Sequence, residues 1–372
     1  MKYYIISGEA SGDLHGSNLM QAIESIDSEA SFRFWGGDLM KAVSGKLVRH
    51  YKELAFMGFT EVLLNIRTIL NNLKFCKSDI LDYNPDKLIL IDYPGFNMRI
   101  AEFAKKNNIE VHYYISPQLW AWKENRIQKI KRDVDFMYVI LPFEKEFYEK
   151  KHQFPVSFVG HPLIDAISKM SQVNEVKFRE KYQLSDKPII ALLPGSRKQE
   201  IKKMLGLMLS QVDQFKDYQF VIAGAPSQDY AFYRQFLNKE SVKFVPNKTY
   251  ELLSLSYAAL VTSGTATLET ALFKVPEIVC YKTSWVSFQI GKRLVRLEFI
   301  SLVNLIMGRK VVTELIQSDF TESNLTKELT KILDSKVRST MFLDYFDLEK
   351  KLGGKGASLK TAKQIVKNKR AD

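Results

Sequence analysis

The sequence predicts an α/β protein built as two tandem, doubly wound, Rossmann-like domains facing a cleft. Three observations predict it. Short β-branched or aromatic runs alternate with amphipathic segments along most of the chain. Some runs are continuously apolar, as in Leu88-Ile89-Leu90-Ile91, which suits a parallel sheet covered on both faces. The alternation also restarts after a polar stretch at 168–188 that closes on Pro188, and 372 residues suffice for two such cores.

In the first domain (1–167), strands are expected at 2–7, 31–36, 87–92, 110–115, 136–141 and 156–159. Helical patterns fall at 13–26, 67–83, 98–107, 123–132 and 143–151. In the second (168–340), strands are expected at 189–193, 219–224, 242–245, 258–262 and 277–281. Its helices are expected near 199–215, 228–239, 249–255, 265–273 and 284–296. Residues 341–372 read as a basic helical tail, broken at Gly353-Gly354 and expected to pack back on the first domain.

Hydrophobic (46%) and charged (26%) fractions are those of a folded globular chain rather than a disordered one. Two cysteines, Cys76 and Cys280, are too few for a disulfide framework and point to buried thiols in a reducing compartment. The N-terminal apolar run is too short for a signal peptide, and no apolar stretch is long enough to span a bilayer. The expectation is a cytoplasmic protein with at most peripheral membrane contact. A net charge of +12 suits phosphorylated substrates, an anionic lipid surface or nucleic acid, or is merely a basic surface. No zinc-finger spacing, RNA-recognition signature or compact basic arm supports nucleic acid.

Ligands of open α/β sheets bind outside the carboxyl ends of strands, so the loops after strands hold the candidates. The first is Ser7-Gly8-Glu9-Ala10-Ser11-Gly12-Asp13-Leu14-His15-Gly16, a site for an anion at a helix start or an ordinary turn with Asp13 as its cap. It has neither dinucleotide-binding nor P-loop spacing. The second is Asp92-Tyr93-Pro94-Gly95-Phe96-Asn97. Asp92 is placed to act as a general base on a sugar hydroxyl, or else caps the next helix or pairs with Arg99. A third loop, Ser116 to Trp122, carries Trp120 and Trp122, which pack as core or cover a sugar face or acyl chain.

In the second half, Leu193-Pro-Gly195-Ser196-Arg197 and Ser263-Gly264-Thr265 each follow a strand. Exposed amides and an Arg197 fork suit a pyrophosphate, and Glu269 is placed to accept ribose hydroxyls. Together they read as a nucleoside diphosphate site. Asp133-Val134-Asp135 has the spacing of a metal-dependent sugar transferase but is better explained by capping and solvent exposure, and the five histidines are scattered. No metal is expected. The apolar segment 56–70 is a buried helix or a membrane-facing patch.

Taken in order, these motifs resemble those of the lipid-A-disaccharide synthase family. The matches run through Ser7–Asp13, Met57-Gly58 before Glu61-Val62-Leu63, Asp92-x-Pro-x-Phe-Asn97, Ser116-Pro-x-x-Trp-Ala-Trp122, Leu141-Pro-Phe-Glu144 and Phe158-Val-Gly-His161. They continue in Leu193–Arg197, Ser263-Gly-Thr265 with Glu269, and Asn304-Leu305. Val303, Thr313 and Asp38 stand where the family pattern carries proline, and Gly95 where some members have an acidic residue.

The resemblance implies the glycosyltransferase B-type fold and transfer of 2,3-diacylglucosamine from its UDP donor to 2,3-diacylglucosamine 1-phosphate. Inversion would give a β-1,6 bond, with no metal or organic cofactor. It implies Asp92 as base, with Glu9 and His15 as rivals, and Glu9, Ser11, Asp13, His15, Asn97 and Trp120 around the acceptor. Gly195, Ser196, Arg197, Ser263, Gly264, Thr265, Glu269 and Asn304 would hold the UDP-sugar. The implied partners are the two acyl-sugars, the cytoplasmic face of the inner membrane and a second copy of the chain in a homodimer, with no nucleic acid. The alternatives are another UDP-sugar enzyme of this fold, such as a UDP-N-acetylglucosamine 2-epimerase, and a nucleotide-binding module without catalysis.

Overall fold

A computed structural model describes residues 1–54, 66–225, 228–237, 241–284, 288–289 and 298–369. The expected helix 284–296 and the apolar residues 56–65 lie largely or wholly outside that set. The chain divides into two compact units, Met1–Ser168 with Leu352–Asp372, and Lys169–Lys351.

The first unit is built on a parallel sheet of β1 (Lys2–Ser7), β2 (Ser31–Gly36), β3 (Lys46–His50), β4 (Lys87–Ile91), β5 (Glu110–Tyr114), β6 (Phe136–Val139) and β7 (Ser157–Phe158). Its strand order is β3-β2-β1-β4-β5-β6-β7. Helices cover both faces, so every residue of β4 is buried, including Lys87. That ammonium is held by Glu110 Oε1 at 2.7 Å and by the Asn368 carbonyl. Cys76 and Cys280 are both free and buried.

The second unit repeats the plan with β8 (Ile189–Leu193), β9 (Gln219–Gly224), β10 (Val242–Pro246), β11 (Ser256–Thr262), β12 (Glu277–Tyr281) and β13 (Thr313–Ile316). Its order is β10-β9-β8-β11-β12-β13, again all parallel. In both sheets the order reverses beside the unit's first strand, between β1 and β4 and between β8 and β11. Those are the topological switch points, where carboxyl-end loops part to leave a crevice.

Two strands, β3 and β13, are absent from the sequence expectation. Both are edge strands of mixed polarity, only partly buried, so neither shows a continuous apolar run. Two helices begin earlier than their patterns suggest, at Ala10 and at Pro94.

The chain leaves the first unit after Ser168 and re-enters it at Leu352. The crossing is backbone against backbone: Gly160 and Gly353 both have left-handed φ (93° and 87°), and a Cβ on Gly353 would lie 3.1 Å from the Gly160 Cα. The His161 amide donates to the Leu352 carbonyl at 2.9 Å. Buried Asp165 then caps the returning helix Ala357–Lys367, accepting the amides of Gly356 (2.6 Å) and Ser358 (2.8 Å). The helix packs on Ala10–Glu24 and on Pro162–Ser168.

Replacing Asp165 by Ala leaves these amides without an acceptor, and the expected loss is about 2 kcal/mol. Urea denaturation of the full chain measures it, together with faster trypsin cleavage at Lys355. A variant matching wild type in both would show that the cap does not hold the returning helix.

Candidate active site

Ser7 pairs with Ile91 across the first switch point, and Asp92 follows directly. The Asp92 backbone is held from three sides. Its amide donates to the Tyr114 carbonyl (3.0 Å), and its carbonyl accepts the Tyr113 hydroxyl (2.7 Å) and Asn97 Nδ2 (2.8 Å). Asn97, fully buried, also reaches the Ile91 and Ile6 carbonyls at 3.2 and 3.4 Å, tying β1 to β4 where they end.

This clamp holds unusual backbone. Asp92 (φ 45°) and Tyr93 (φ 50°) are consecutive left-handed non-glycine residues, and Ile115, after the neighbouring β5, is a third (φ 64°). Such conformations typically cost about 1–3 kcal/mol each and collect at functional sites. The Tyr93 ring lies so close to Gly8 that a Cβ there would sit 2.4 Å from it. Gly8 therefore joins the β1 loop to the β4 loop by contact.

The structure removes both structural explanations for the Asp92 carboxylate. The helix starts at Pro94 with Tyr93 as its capping residue, so Asp92 is not the cap. Arg99 is solvent-exposed and forms no ion pair with Asp92. Burial pushes the Asp92 carboxyl up to about 7, with the charge of Glu9 adding to the shift and the Tyr93 amide opposing it.

The remaining first-domain candidates separate into two groups. Glu9 and Ser11 are exposed at the start of helix Ala10–Glu24. Asp13, expected at a ligand or as the cap of its own helix, sits inside that helix and is 3% exposed. Its carboxylate accepts the amides of Gly37 (2.7 Å), Leu39 (3.0 Å) and Met40 (3.0 Å), capping the neighbouring helix Asp38–Val43 rather than facing a ligand. His15 is also buried in the helix, and burial pushes its imidazole down to about 4, partly offset by Asp165. It is a neutral side chain packed inside the unit.

Trp120 is organised by Glu144. This buried carboxylate accepts the Trp120 indole N–H (3.2 Å), the Ser116 hydroxyl (2.7 Å) and the amides of Ile140 (3.1 Å) and Leu141 (2.9 Å). Burial raises the Glu144 carboxyl, yet all four partners are donors and so bind its ionised form. Trp120 also meets the Phe143 ring edge-on at 4.8 Å, while Trp122 is exposed with the Lys123 ammonium 4.1 Å from its ring.

At the second switch point Val261 pairs with Leu193. Gly195 takes a left-handed turn (φ 103°), Gln228 Nε2 donates to the Ser196 carbonyl (3.1 Å), and exposed Arg197 pairs with Glu200 at 2.7 Å. Across from them, Ser263 donates to the Ile300 carbonyl (3.1 Å), and Gly264 and Thr265 are exposed at the start of helix Thr265–Leu272. Glu269 accepts the Tyr250 hydroxyl at 2.8 Å.

Asn304 has no free polar atom to offer a donor sugar. Its amide group donates to the Val312 carbonyl and to Glu314, and its oxygen accepts the amides of Val311 and Val312. Glu314 also accepts the amides of Ile300 and Ser301, so the pair shapes the backbone that Ser263 touches. The Asp133/Asp135 pair is not solvent-exposed as expected. Asp133 is buried and paired with Arg132, and Asp135 accepts Lys105 and the Val111 amide. Among the described residues no group of three or more His, Cys, Asp or Glu is arranged to hold a metal.

Sequence reasoning passed over Glu144, Asp165, Glu314 and Tyr250 as functional or organising residues. Only Glu144 carried a readable signal, an acidic residue at the third helical position reaching back to the amide at the helix start.

Solved structures share this architecture. A UDP-GlcNAc 2-epimerase from Neisseria meningitidis bound to UDP-GlcNAc superposes with a TM-score of 0.66 at 13% identity, covering 98% of both chains. The calicheamicin glycosyltransferase CalG4 gives 0.62 at 13% identity, also covering 98% of both. The fold is thus that of two-domain B-type glycosyltransferases and UDP-sugar epimerases.

Sequence comparison is narrower. The family model described as Lipid-A-disaccharide synthetase matches residues 3–367. A lipid-A-disaccharide synthase from Coxiella burnetii (strain CbuK_Q154) is 39% identical over 335 residues, 89% of this chain and 88% of that protein. Another from Syntrophus aciditrophicus (strain SB) is 39% identical over 368 residues, 96% and 95% of the two chains. The chain belongs to the lipid-A-disaccharide synthase family, enzymes that are glycosyltransferases of lipid A biosynthesis. Membership implies a UDP-sugar and an acceptor as substrates.

Glu144→Ala removes the acceptor of four donors at once, and the expected loss in urea denaturation is about 3 kcal/mol or more. Glu144→Gln, which keeps the volume and one acceptor oxygen, loses less. Equal stability of wild type and the alanine variant would show that the loop does not depend on this carboxylate.

Proposed function

We propose that the chain transfers 2,3-diacylglucosamine from UDP-2,3-diacylglucosamine to 2,3-diacylglucosamine 1-phosphate, with Asp92 as general base on the acceptor's 6-hydroxyl. The observation that carries this is the Asp92 site. A carboxylate at the switch point, fixed by its backbone and, among the described residues, neither capping a helix nor paired with a cation, has its pKa raised to about 7. A base with a pKa near the working pH balances ionised fraction against proton affinity. In this reading its ionised oxygen takes the hydroxyl proton as the hydroxyl attacks the anomeric carbon, and UDP leaves from the opposite face with inversion.

Glu9, Ser11 and Trp120 contact the acceptor, and Asn97 positions Asp92. Asp13 supports the backbone at Gly37–Met40, and His15 is packed inside the unit. The amides of Gly195, Ser196, Gly264 and Thr265, with the Ser263 hydroxyl and Arg197, take the diphosphate, and Glu269 takes the ribose. Asn304 contributes by shaping the neighbouring loop.

We also place the enzyme on the cytoplasmic face of the inner membrane. No helix among the described residues is long and apolar enough to cross a bilayer. A surface groove of about 520 Å³ combines exposed Ile66 and Leu70 with Leu73 and Phe103, rimmed by Lys74, Lys77, Arg99 and Lys106, the last paired with Glu102 of the same rim at 2.9 Å. Apolar side chains framed by cations suit an anionic bilayer surface. Of the apolar segment 56–70, residues 56–65 lie outside the described residues.

Asp92→Asn is expected to lower turnover by roughly two or more orders of magnitude while UDP affinity stays unchanged. Because the base must be ionised, wild-type kcat/KM is expected to fall with unit slope below about pH 7 and to level off above it. Retained turnover in the variant, or a flat profile from pH 5.5 to 8, would remove Asp92 from this role. Ile66→Ser/Leu70→Ser is expected to weaken sedimentation with phosphatidylglycerol vesicles but not UDP binding. Vesicle binding indifferent to both changes and to anionic lipid would place the membrane contact elsewhere.

A further inference from the structure

Glu269 and Phe273 stand four residues apart, so they share one face of helix Thr265–Leu272 and its C-terminal end. Tyr250, from the short helix Thr249–Ser254, lies against both. Its hydroxyl donates to Glu269 Oε1 at 2.8 Å, and its ring packs on Phe273 with centroids 5.4 Å apart. The direction of that hydrogen bond is fixed, because burial and the neighbouring carboxylate raise the Tyr250 phenol and keep it protonated. Lys248, just before Tyr250, is engaged with Glu251 at 2.6 Å. Burial raises the Glu269 carboxyl, and the Tyr250 hydroxyl is the group that opposes the shift.

A ribose presents two adjacent hydroxyls, each needing an acceptor. A carboxylate serves both only if it is ionised and has an oxygen turned toward them. We propose that Tyr250 is a positioning residue of the ribose subsite: by holding one oxygen of Glu269 it fixes the carboxylate with the other oxygen presented to a nucleotide's ribose hydroxyls. Tyr250 contacts Glu269 rather than the nucleotide, so it sets how strongly the site distinguishes a ribose from a sugar lacking those hydroxyls. The proposal rests on the reading of Glu269 as the ribose acceptor.

The test is calorimetric binding of UDP and of 2′,3′-dideoxy-UDP to the full-length wild type, Glu269→Gln and Tyr250→Phe. Wild type is expected to bind UDP about tenfold or more tightly than the dideoxy nucleotide, the scale of hydrogen bonds to a charged group. Glu269→Gln should bring the two affinities together. Tyr250→Phe, which keeps the ring on Phe273, should cut the ratio by about threefold or more. Its dideoxy-UDP affinity should stay at the wild-type value, which also reports an intact fold.

A wild-type ratio in Tyr250→Phe, with Glu269→Gln showing none, would overturn the Tyr250 proposal and leave the ribose reading standing. Equal loss of both nucleotides in Tyr250→Phe would overturn it as well, because that is the signature of a structural role. A wild-type ratio in Glu269→Gln would instead overturn the ribose reading, and the proposal with it.

Discussion

Helix starts and turns after strands leave backbone amides that must find acceptors, and at four places in this molecule a carboxylate, buried in three of them, takes them. Asp13 takes three amides at the start of the neighbouring helix, and Asp165 takes two at the start of the returning helix. Glu144 takes two amides plus a hydroxyl and an indole. Glu314 does the same for the second unit at Ile300 and Ser301. Each carboxylate sits near a strand end or helix start and converts a flexible connection into a fixed one. Of the four, Glu314 reaches a switch point, through the Ile300 residue whose carbonyl Ser263 binds, whereas the Asp92 loop is held by Asn97, Tyr113 and the Tyr114 carbonyl.

That pattern sets Asp92 apart. Its own backbone amide and carbonyl are committed, whereas among the described residues its carboxylate receives only the adjacent Tyr93 amide. The three left-handed non-glycine residues around it, Asp92, Tyr93 and Ile115, show where the fold holds the chain against its preference. Rigidity in the backbone combined with an uncommitted side chain is what a proton-transfer group needs: reach without drift.

The fold class was legible because buried parallel strands such as Lys87–Ile91 and Ile189–Leu193 announce themselves as apolar runs. The edge strands β3 and β13 were not, since one open side removes the pressure to be apolar. The candidate loops were found from their places after strands, but the direction each side chain takes was not. Asp13 and His15 stand where the sequence expects the helix to begin, beside a glycine-rich turn, yet the helix begins at Ala10 and turns both inward. Asn304 likewise sits in a recognisable motif while all its polar atoms are engaged by partners up to ten residues further along. Such pairings depend on tertiary proximity, which spacing alone does not encode. Tyr250 and Glu269, nineteen residues apart on different helices, are a further case.

The chain's return at Leu352 bears on how the protein emerges from the ribosome. All seven strands of the first sheet lie before residue 159, but the helix that packs on Ala10–Glu24 comes from residues 357–367. An N-terminal half that collapses early, as domains do during synthesis at roughly 5–20 residues per second, waits about 10–40 s for the 200 residues that separate it from its last helix. Until then the His161 amide, the Asp165 carboxylate and the face of Ala10–Glu24 are without their partners. The nascent chain therefore exposes that face until the last helix emerges, and truncated products ending before Leu352 carry it exposed permanently.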